Sequence, residues 1–232
     1  MELKDARALI TGGSKGIGRA LAASLIGRGA RVAVTARHAD RLEATARELG
    51  ALALPGDVSR QEDAERAVER TVEEFGGLDL LINNAAGTFY APLAEMDPER
   101  FRRVLEVNVT GAMLMARAAV PHFIRQNSGN IVNISSTAGY RGYPSGSAYV
   151  ASKFALRGLT ECWRAELRPH NVRVMLVSPS EVQTNFGRAA EPTDLDPKKL
   201  TAQEIADAVV GALSVDDRGF IPEFSVWATN PF

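Results

Sequence analysis

The sequence predicts an α/β fold: one doubly wound domain over residues 1–232, with a parallel sheet of about seven strands and helices on both faces. Short β-branched runs alternate with longer stretches of helical spacing, which is the pattern of βαβ units. A glycine-rich turn joins the first strand to the first helix. The chain is also long enough to bury one sizeable core, and 45% of it is apolar.

Ala6 to Thr11 reads as the first strand and runs into glycines. From Lys15 to Arg28, Ile17, Leu21, Leu25 and Ile26 share one helical face. Arg31 to Thr35 is the second strand, and Asp40 with Glu43 reads as a capping box opening the next helix. Ala51 to Pro55 is the third strand, and Ser59 with Glu62 repeats the capping signal. Leu78 to Asn83 is the fourth. Asp97-Pro98 then opens a long helix over Glu99–Arg125, with proline at the position where its missing N–H costs nothing. Asn130 to Ser135 is the fifth strand, Tyr149 to Arg168 the next helix and Arg173 to Ser178 the sixth strand. Thr201 with Glu204 caps a further helix, and Gly219 to Val226 closes the sheet. Between Thr184 and Thr201 the pattern fades around Pro192 and Pro197, which predicts a mobile, short flap that admits bulky or varied substrates.

Composition excludes several classes of function. The 27 basic and 28 acidic residues leave a net charge of −1, so nothing in the charge favours nucleic acid or an anionic membrane as partner. One cysteine, Cys162, forms no internal disulfide and suits a reducing compartment. With it and three scattered histidines, no metal site is expected. No apolar run approaches the roughly 18 residues of a membrane span. The charged start, with Glu2, Lys4, Asp5 and Arg7, is unlike a signal peptide. The expectation is a cytoplasmic protein that handles a small molecule.

Gly12, Ser14, Lys15, Gly16, Ile17 and Gly18 form the turn between the first strand and helix. Glycines there let backbone approach a pyrophosphate, and the helix N-terminus offers free N–H groups and a positive dipole end. A tight turn that binds nothing would use glycine as well, and other residues must decide. Tyr149 and Lys153, four apart on a helix, share one face. A nearby ammonium favours phenolate, so it lowers a tyrosine pKa of about 10 by roughly 1–3. A tuned tyrosine can then exchange a proton with a carbonyl or alcohol oxygen. Ser136 follows the fifth strand, where open α/β sheets hold ligands, and its hydroxyl can donate to the same oxygen. Hydrolysis is discarded: there is no G-x-S-x-G elbow, and His38, His122 and His170 do not follow strand ends as a triad would require.

Five motifs in order resemble those of the short-chain dehydrogenases/reductases over nearly the whole chain: the G-x-x-x-G-x-G of Gly12–Gly18; Asn83-Asn-Ala-Ala-Gly87; Asn108 in Val107-Asn-Val-Thr-Gly111; Ser136 with Tyr149-Val-Ala-Ser-Lys153 13 positions beyond it; and Ser178-Pro-Ser-Glu-Val-Gln-Thr184. The chain is similar to the NADP-dependent carbonyl reductase branch, with its 3-oxoacyl-ACP reductases. The resemblance implies a Rossmann-type fold and hydride transfer between NADP(H) and a carbonyl or secondary alcohol. It makes Tyr149 the acid/base, with Ser136 orienting the carbonyl. Lys153 holds the nicotinamide ribose, and Asn108 supports a proton relay. It adds Asp57, Val58, Asn84, Ala85, Pro179, Val182 and Thr184 to the cofactor site, and implies a homodimer or homotetramer through the two long helices. A local backbone role is the plain alternative for Asn108. Ala86 and Ser180 depart from the family's glycines. The competing class, a silent dinucleotide sensor or scaffold, should have broken the Ser/Tyr/Lys set, which is intact.

NADP(H) is expected rather than NAD(H). At the end of the second strand an NAD enzyme carries a carboxylate for the ribose 2′-hydroxyl. Ala36 stands there instead, followed by Arg37, and Lys15 adds a second cation. Thr88, Phe89, Tyr90, Ala138, Tyr143 and Phe186 are expected around the substrate, an uncharged and partly aromatic lining.

Overall fold

Seven short strands pair in parallel in a computed structural model that describes residues 1–184, 186–187 and 195–230. They are β1 (Arg7–Thr11), β2 (Arg31–Ala36), β3 (Leu52–Pro55), β4 (Leu80–Asn83), β5 (Gly129–Ile134), β6 (Val172–Pro179) and β7 (Glu223–Val226). Their order is β3-β2-β1-β4-β5-β6-β7, a Rossmann-like sheet whose order reverses between β1 and β4. The helices are α1 (Gly16–Ile26), α2 (Ala39–Leu49), α3 (Gln61–Phe75), α4 (Pro98–Leu105), α5 (Gly111–Gln126), α6 (Ser147–Leu167) and α7 (Ala202–Leu213).

Both faces of the sheet are covered, which explains why its strands read as continuous apolar runs. Ile10, Val34, Ile82, Val132 and Val177 point to one face and pack with Leu21 and Leu25 of α1 and Val209 and Leu213 of α7. Leu9, Ala33, Leu81, Ile131 and Val174 point to the other and meet Val68 of α3 and Met115, Ala119 and Phe123 of α5. The register sets Leu9 beside Ala33 and Leu81, and Asn83 beside Asn133.

Three helix starts were predicted from capping boxes, and one forms. The Thr201 N–H and hydroxyl both donate to the Glu204 carboxylate, at 2.5 and 2.7 Å. At α2 the N-cap is His38, so Asp40 already lies in the first turn, beside the dipole rather than capping it. At α3 the N-cap is Arg60, because the Ser59 hydroxyl donates to Asp57 instead, at 2.7 Å. Asp97 does cap α4, accepting from the N–H groups of Glu99 and Arg100 with Pro98 in the first turn. The long helix expected over Glu99–Arg125 is divided: a wide π-type turn over Glu106–Thr110 separates α4 from α5, with Gly111 N–H bonded back to the Glu106 carbonyl. Such single wide turns often mark functional sites.

Candidate active site

The glycine turn is shaped by close approaches. Gly12 has φ +67°, and a Cβ there would lie 2.9 Å from Ala85 Cα. A Cβ at Gly18 would meet the Gly12 carbonyl oxygen at 2.3 Å. The turn is tied to the end of β4. Thr11 Oγ1 accepts from the backbone N–H groups of Asn84 and Ala85, both at 2.9 Å. Asn84 Nδ2 donates to the carbonyls of Thr11 and Gly12 at 2.9 and 3.2 Å. Asn84, a predicted ligand residue, thus braces the loop. The N-terminus of α1 has no side-chain cap and no acidic residue in its first turn. The N–H groups of a first helical turn have no acceptor within the helix, and Gly16 and Ile17 of this one line a cleft suited to an anion. That cradle fits a dinucleotide pyrophosphate.

One cleft along the C-terminal edge of the sheet is lined by Gly12, Ser14, Lys15, Gly16 and Ile17 from the turn, and by Arg37, Asp57 and Val58 after β2 and β3. Asn84, Ala85, Ser136, Tyr149, Lys153, Pro179, Val182 and Thr184 complete it. Two predicted residues stand elsewhere. Gly18 lies behind the turn, where it makes room for the loop, and Asn108 sits in a small internal space beside Asn83 and Gly111. Thr35, His38, Gly56, Val107, Ile134 and Ser135 line the cleft without having been singled out from sequence; they flank the motifs and carry no signal of their own.

Arg37 is exposed at the end of β2 beside Ala36, and both line the cleft. Asp57 is already engaged. Burial opposes its ionisation, but hydrogen bonds from Ser59 and Arg103 outweigh this and hold its carboxyl below the usual range. No pattern in the sequence pointed to Arg103 as its partner.

Lys153 is buried, and its Nζ donates to the Ile134 carbonyl at 2.9 Å while lying 5.5 Å from the centre of the Tyr149 ring. Burial lowers its pKa to about 8. The expected depression of Tyr149 is corrected by the same geometry. Burial pushes the phenol up from its ordinary 10, Ser136 pulls it down by hydrogen bonding, and Tyr90 and Tyr143 add to the rise. Desolvation is the largest of these influences and sets the direction. Ser136 Oγ also accepts from the Ala138 N–H at 3.1 Å, fixing the hydroxyl at the end of β5.

The Asn108 side chain is fully occupied. Nδ2 donates to the Gly87 carbonyl and to Ser152 Oγ, both at 2.9 Å, and Oδ1 accepts from the Gly87 N–H at 2.7 Å. It clamps the loop after β4 to α6, the local backbone role that was its plain alternative. Neither Ala86 nor Gly87 has a left-handed φ, so the backbone at these two positions does not require glycine's conformational freedom. Ser180 lines the cleft and donates its N–H to the Val226 carbonyl at 2.9 Å.

Of the expected substrate lining, Tyr90, Tyr143 and Phe186 gather near Tyr149. Ala138 is buried, and Thr88 Oγ1 is buried without a partner among the described residues. Phe89 lies under the Arg100 guanidinium, 3.9 Å from its ring centre, so a charge stands nearer this loop than the lining predicted. Just before the predicted flap, the Gln183 side chain donates to the carbonyls of Asp196 and Lys199 within it. Residues 185 and 188–194, half of the segment between Thr184 and Thr201, lie outside the described residues. Among the described residues no helix is long and apolar enough to cross a membrane.

A parallel sheet with a glycine turn at its first strand end, and a serine, tyrosine and lysine in one cleft, defines a dinucleotide-fold oxidoreductase. The chain belongs to the short-chain dehydrogenase family, whose sequence model matches residues 6–194. It is 33% identical over 227 residues to an uncharacterized oxidoreductase of Staphylococcus aureus (strain MRSA252), covering 97% of each chain. Among solved structures it is similar to an alcohol dehydrogenase of the archaeon Thermococcus sibiricus complexed with 5-hydroxy-NADP, with 32% identity, a TM-score of 0.88 and 96% of each chain covered. It is also similar to a metagenomic short-chain oxidoreductase in complex with NADP, with 36% identity, a TM-score of 0.84 and coverage of 99% of this chain and 100% of the other.

Proposed function

We propose that this protein is an NADP(H)-dependent carbonyl reductase or alcohol dehydrogenase, with Tyr149 as its acid/base. The observation that carries the reading is the convergence of Ser136, Tyr149 and Lys153 on the cleft that begins at the glycine turn. The NADP complexes of the two similar structures support the choice of cofactor, as do Ala36, Arg37 and Lys15. Gly12 to Ile17 would hold the pyrophosphate, Arg37 the 2′-phosphate and Lys153 the ribose. When bound, the reduced cofactor supplies the hydride that the carbonyl carbon receives.

Ser136 donates to the substrate oxygen and holds it beside the phenol. Tyr149 gives its proton to that oxygen as the C=O π pair becomes an alkoxide pair, and solvent restores the proton. Because burial keeps Tyr149 protonated at neutral pH, the acid is loaded for reduction. Oxidation of an alcohol needs the phenolate and is favoured as pH rises. Asn108 positions α6 through Ser152 and the loop through Gly87, which places Tyr149 and Lys153 against the cleft. We further propose a homo-oligomer, dimer or tetramer, through α5 and α6, checked by native mass measurement.

The test is NADPH consumption against a panel of ketones and aldehydes, repeated with Tyr149→Phe. The expected result is turnover by the unmodified protein that the variant loses. NADPH binding without turnover of any carbonyl, or any alcohol in reverse, would favour the sensor or scaffold reading.

A further inference from the structure

Three aromatic rings stand around the Tyr149 phenol without being buried in the core. Tyr90 is 50% exposed, Tyr143 43% and Phe186 38%. Tyr90 meets Tyr149 edge-on with ring centres 6.3 Å apart, and Phe186 meets it from another side at 5.6 Å. Tyr143 lies 6.4 Å from Tyr90, inclined at 44°. Isolated exposed aromatics need no explanation. Three that share one reactive phenol as neighbour form a ligand surface.

The backbone beneath these rings is built to hold them. The Ala91 N–H donates to the Ser145 carbonyl at 3.1 Å, which ties the Tyr90 loop to the Tyr143 loop. Ser145 adopts φ +64° to make that turn. A Cβ on Gly146 would lie 2.4 Å from the Tyr143 ring, so only glycine lets the ring lie there. A Cβ on Gly187 would come within 2.9 Å of Thr88 Cγ2, so the Phe186 segment closes against the Tyr90 loop.

Resting on the carbonyl reductase reading above, we propose that Tyr90, Tyr143 and Phe186 form a three-sided aromatic box that selects ketones bearing a flat aromatic ring on the carbonyl carbon. Tyr90 and Tyr143 are inclined to each other at 44°, so a planar group can present its face to one ring and its edge to the other, both favourable quadrupole arrangements. A saturated ring of the same size is puckered, touches fewer wall atoms and has no quadrupole to match. None of the three wall residues carries a charge, which leaves a neutral arene nothing to lose by entering. Two such ring contacts give about a tenfold preference for the arene.

The experiment measures reduction of acetophenone and of cyclohexyl methyl ketone by the NADPH-loaded enzyme. In parallel, calorimetry gives the binding of benzamide and of cyclohexanecarboxamide, which cannot react, to the NADP-saturated protein. The expected result is an aromatic-to-saturated ratio of about ten or more in both kcat/KM and affinity. Tyr143→Phe should keep that ratio. Tyr143→Leu, and Gly146→Ala by displacing the ring, should bring it to within about threefold of unity. A ratio near unity in the unmodified protein overturns the box, as does a ratio that Tyr143→Leu leaves intact. Loss in Tyr143→Phe as complete as in Tyr143→Leu also overturns it, because the hydroxyl rather than the ring would then be selecting. If neither ketone is reduced but benzamide binds preferentially and loses that preference in Tyr143→Leu, the box stands and the reductase reading falls.

Discussion

Replacing Thr11 with valine should damage the protein far more than its conservative appearance suggests. Thr11 ends β1, is 1% exposed, and its hydroxyl oxygen is the acceptor for two backbone N–H groups, those of Asn84 and Ala85. Valine keeps the shape and the packing but offers no acceptor. Each partly buried N–H left without a partner costs about 1–3 kcal/mol, so two cost roughly 2–6 kcal/mol. The extra apolar burial returns less than about 1 kcal/mol. A net loss of about 1–5 kcal/mol is a large share of the roughly 5–15 kcal/mol that stabilises a domain. Thr11→Ser keeps the oxygen and gives up one methyl group, which costs about 1 kcal/mol. Urea unfolding reads the difference as a shift in midpoint at constant slope. NADPH affinity should fall with it, because the Thr11 hydroxyl holds the backbone of Asn84, whose side chain braces the glycine turn through the Thr11 and Gly12 carbonyls. A valine variant within about 0.5 kcal/mol of the parent, or a serine variant as unstable as valine, would refute this account of how the two loops are joined.

Tyr149→Phe should lower kcat by at least about 10²-fold while NADPH affinity, read by fluorescence titration, changes little. Ala36→Asp with Arg37→Ile should swing preference toward NADH, weakening NADPH by about tenfold or more in steady-state comparison of both cofactors; equal use of both cofactors by the unmodified protein would already count against the assignment. Lys153 has a folded pKa near 8 against 10.5 when free, so the unfolded chain holds its proton more tightly. Its charging therefore destabilises the fold below about pH 8, and that penalty is relieved as pH rises toward 10.5. Parent stability measured against Lys153→Met should climb through this window, by at most about 3 kcal/mol; parallel curves would show that the buried amine is not paying for its charge. Tyr149 has the opposite sign: its raised folded pKa contributes stability below pH 10 that is lost above it, and Tyr149→Phe should lack that fall.

Much of the fold was legible because a sheet covered on both faces writes itself as apolar runs, and Ile10 and Leu9 serve opposite cores from adjacent positions. Helix ends were less legible. Ser59 resembles a cap by spacing alone, yet Asp57, two residues earlier, takes its hydroxyl. The cleft was largely foreseen, since its residues sit in contiguous motifs at strand ends. What sequence could not supply were contacts between distant segments: Arg103 on Asp57, Asn108 on Gly87 and Ser152, and Arg100 over Phe89. The tyrosine also shows why a four-residue spacing gives proximity but not electrostatic outcome. Shared burial of Tyr149 and Lys153 governs both pKa values, and burial depends on everything packed around the pair.

The wide turn at Glu106–Thr110 lets the chain carry one residue more than a regular helix would hold between α4 and α5. Each residue of an α-helix advances the direction of its side chains by about 100°, and the slower winding of the wide turn takes up that step locally. Met115, Ala119 and Phe123 therefore keep their place against the sheet although the chain before them is one residue longer. Deleting one residue from 106–110 would leave that core face nearly in phase and would be felt locally instead, at Asn108, whose side chain meets Gly87 and Ser152 from within the turn. The extra residue thus serves the clamp between the loop after β4 and α6 rather than the core, and sequences that lack it should keep the fold and lose the clamp.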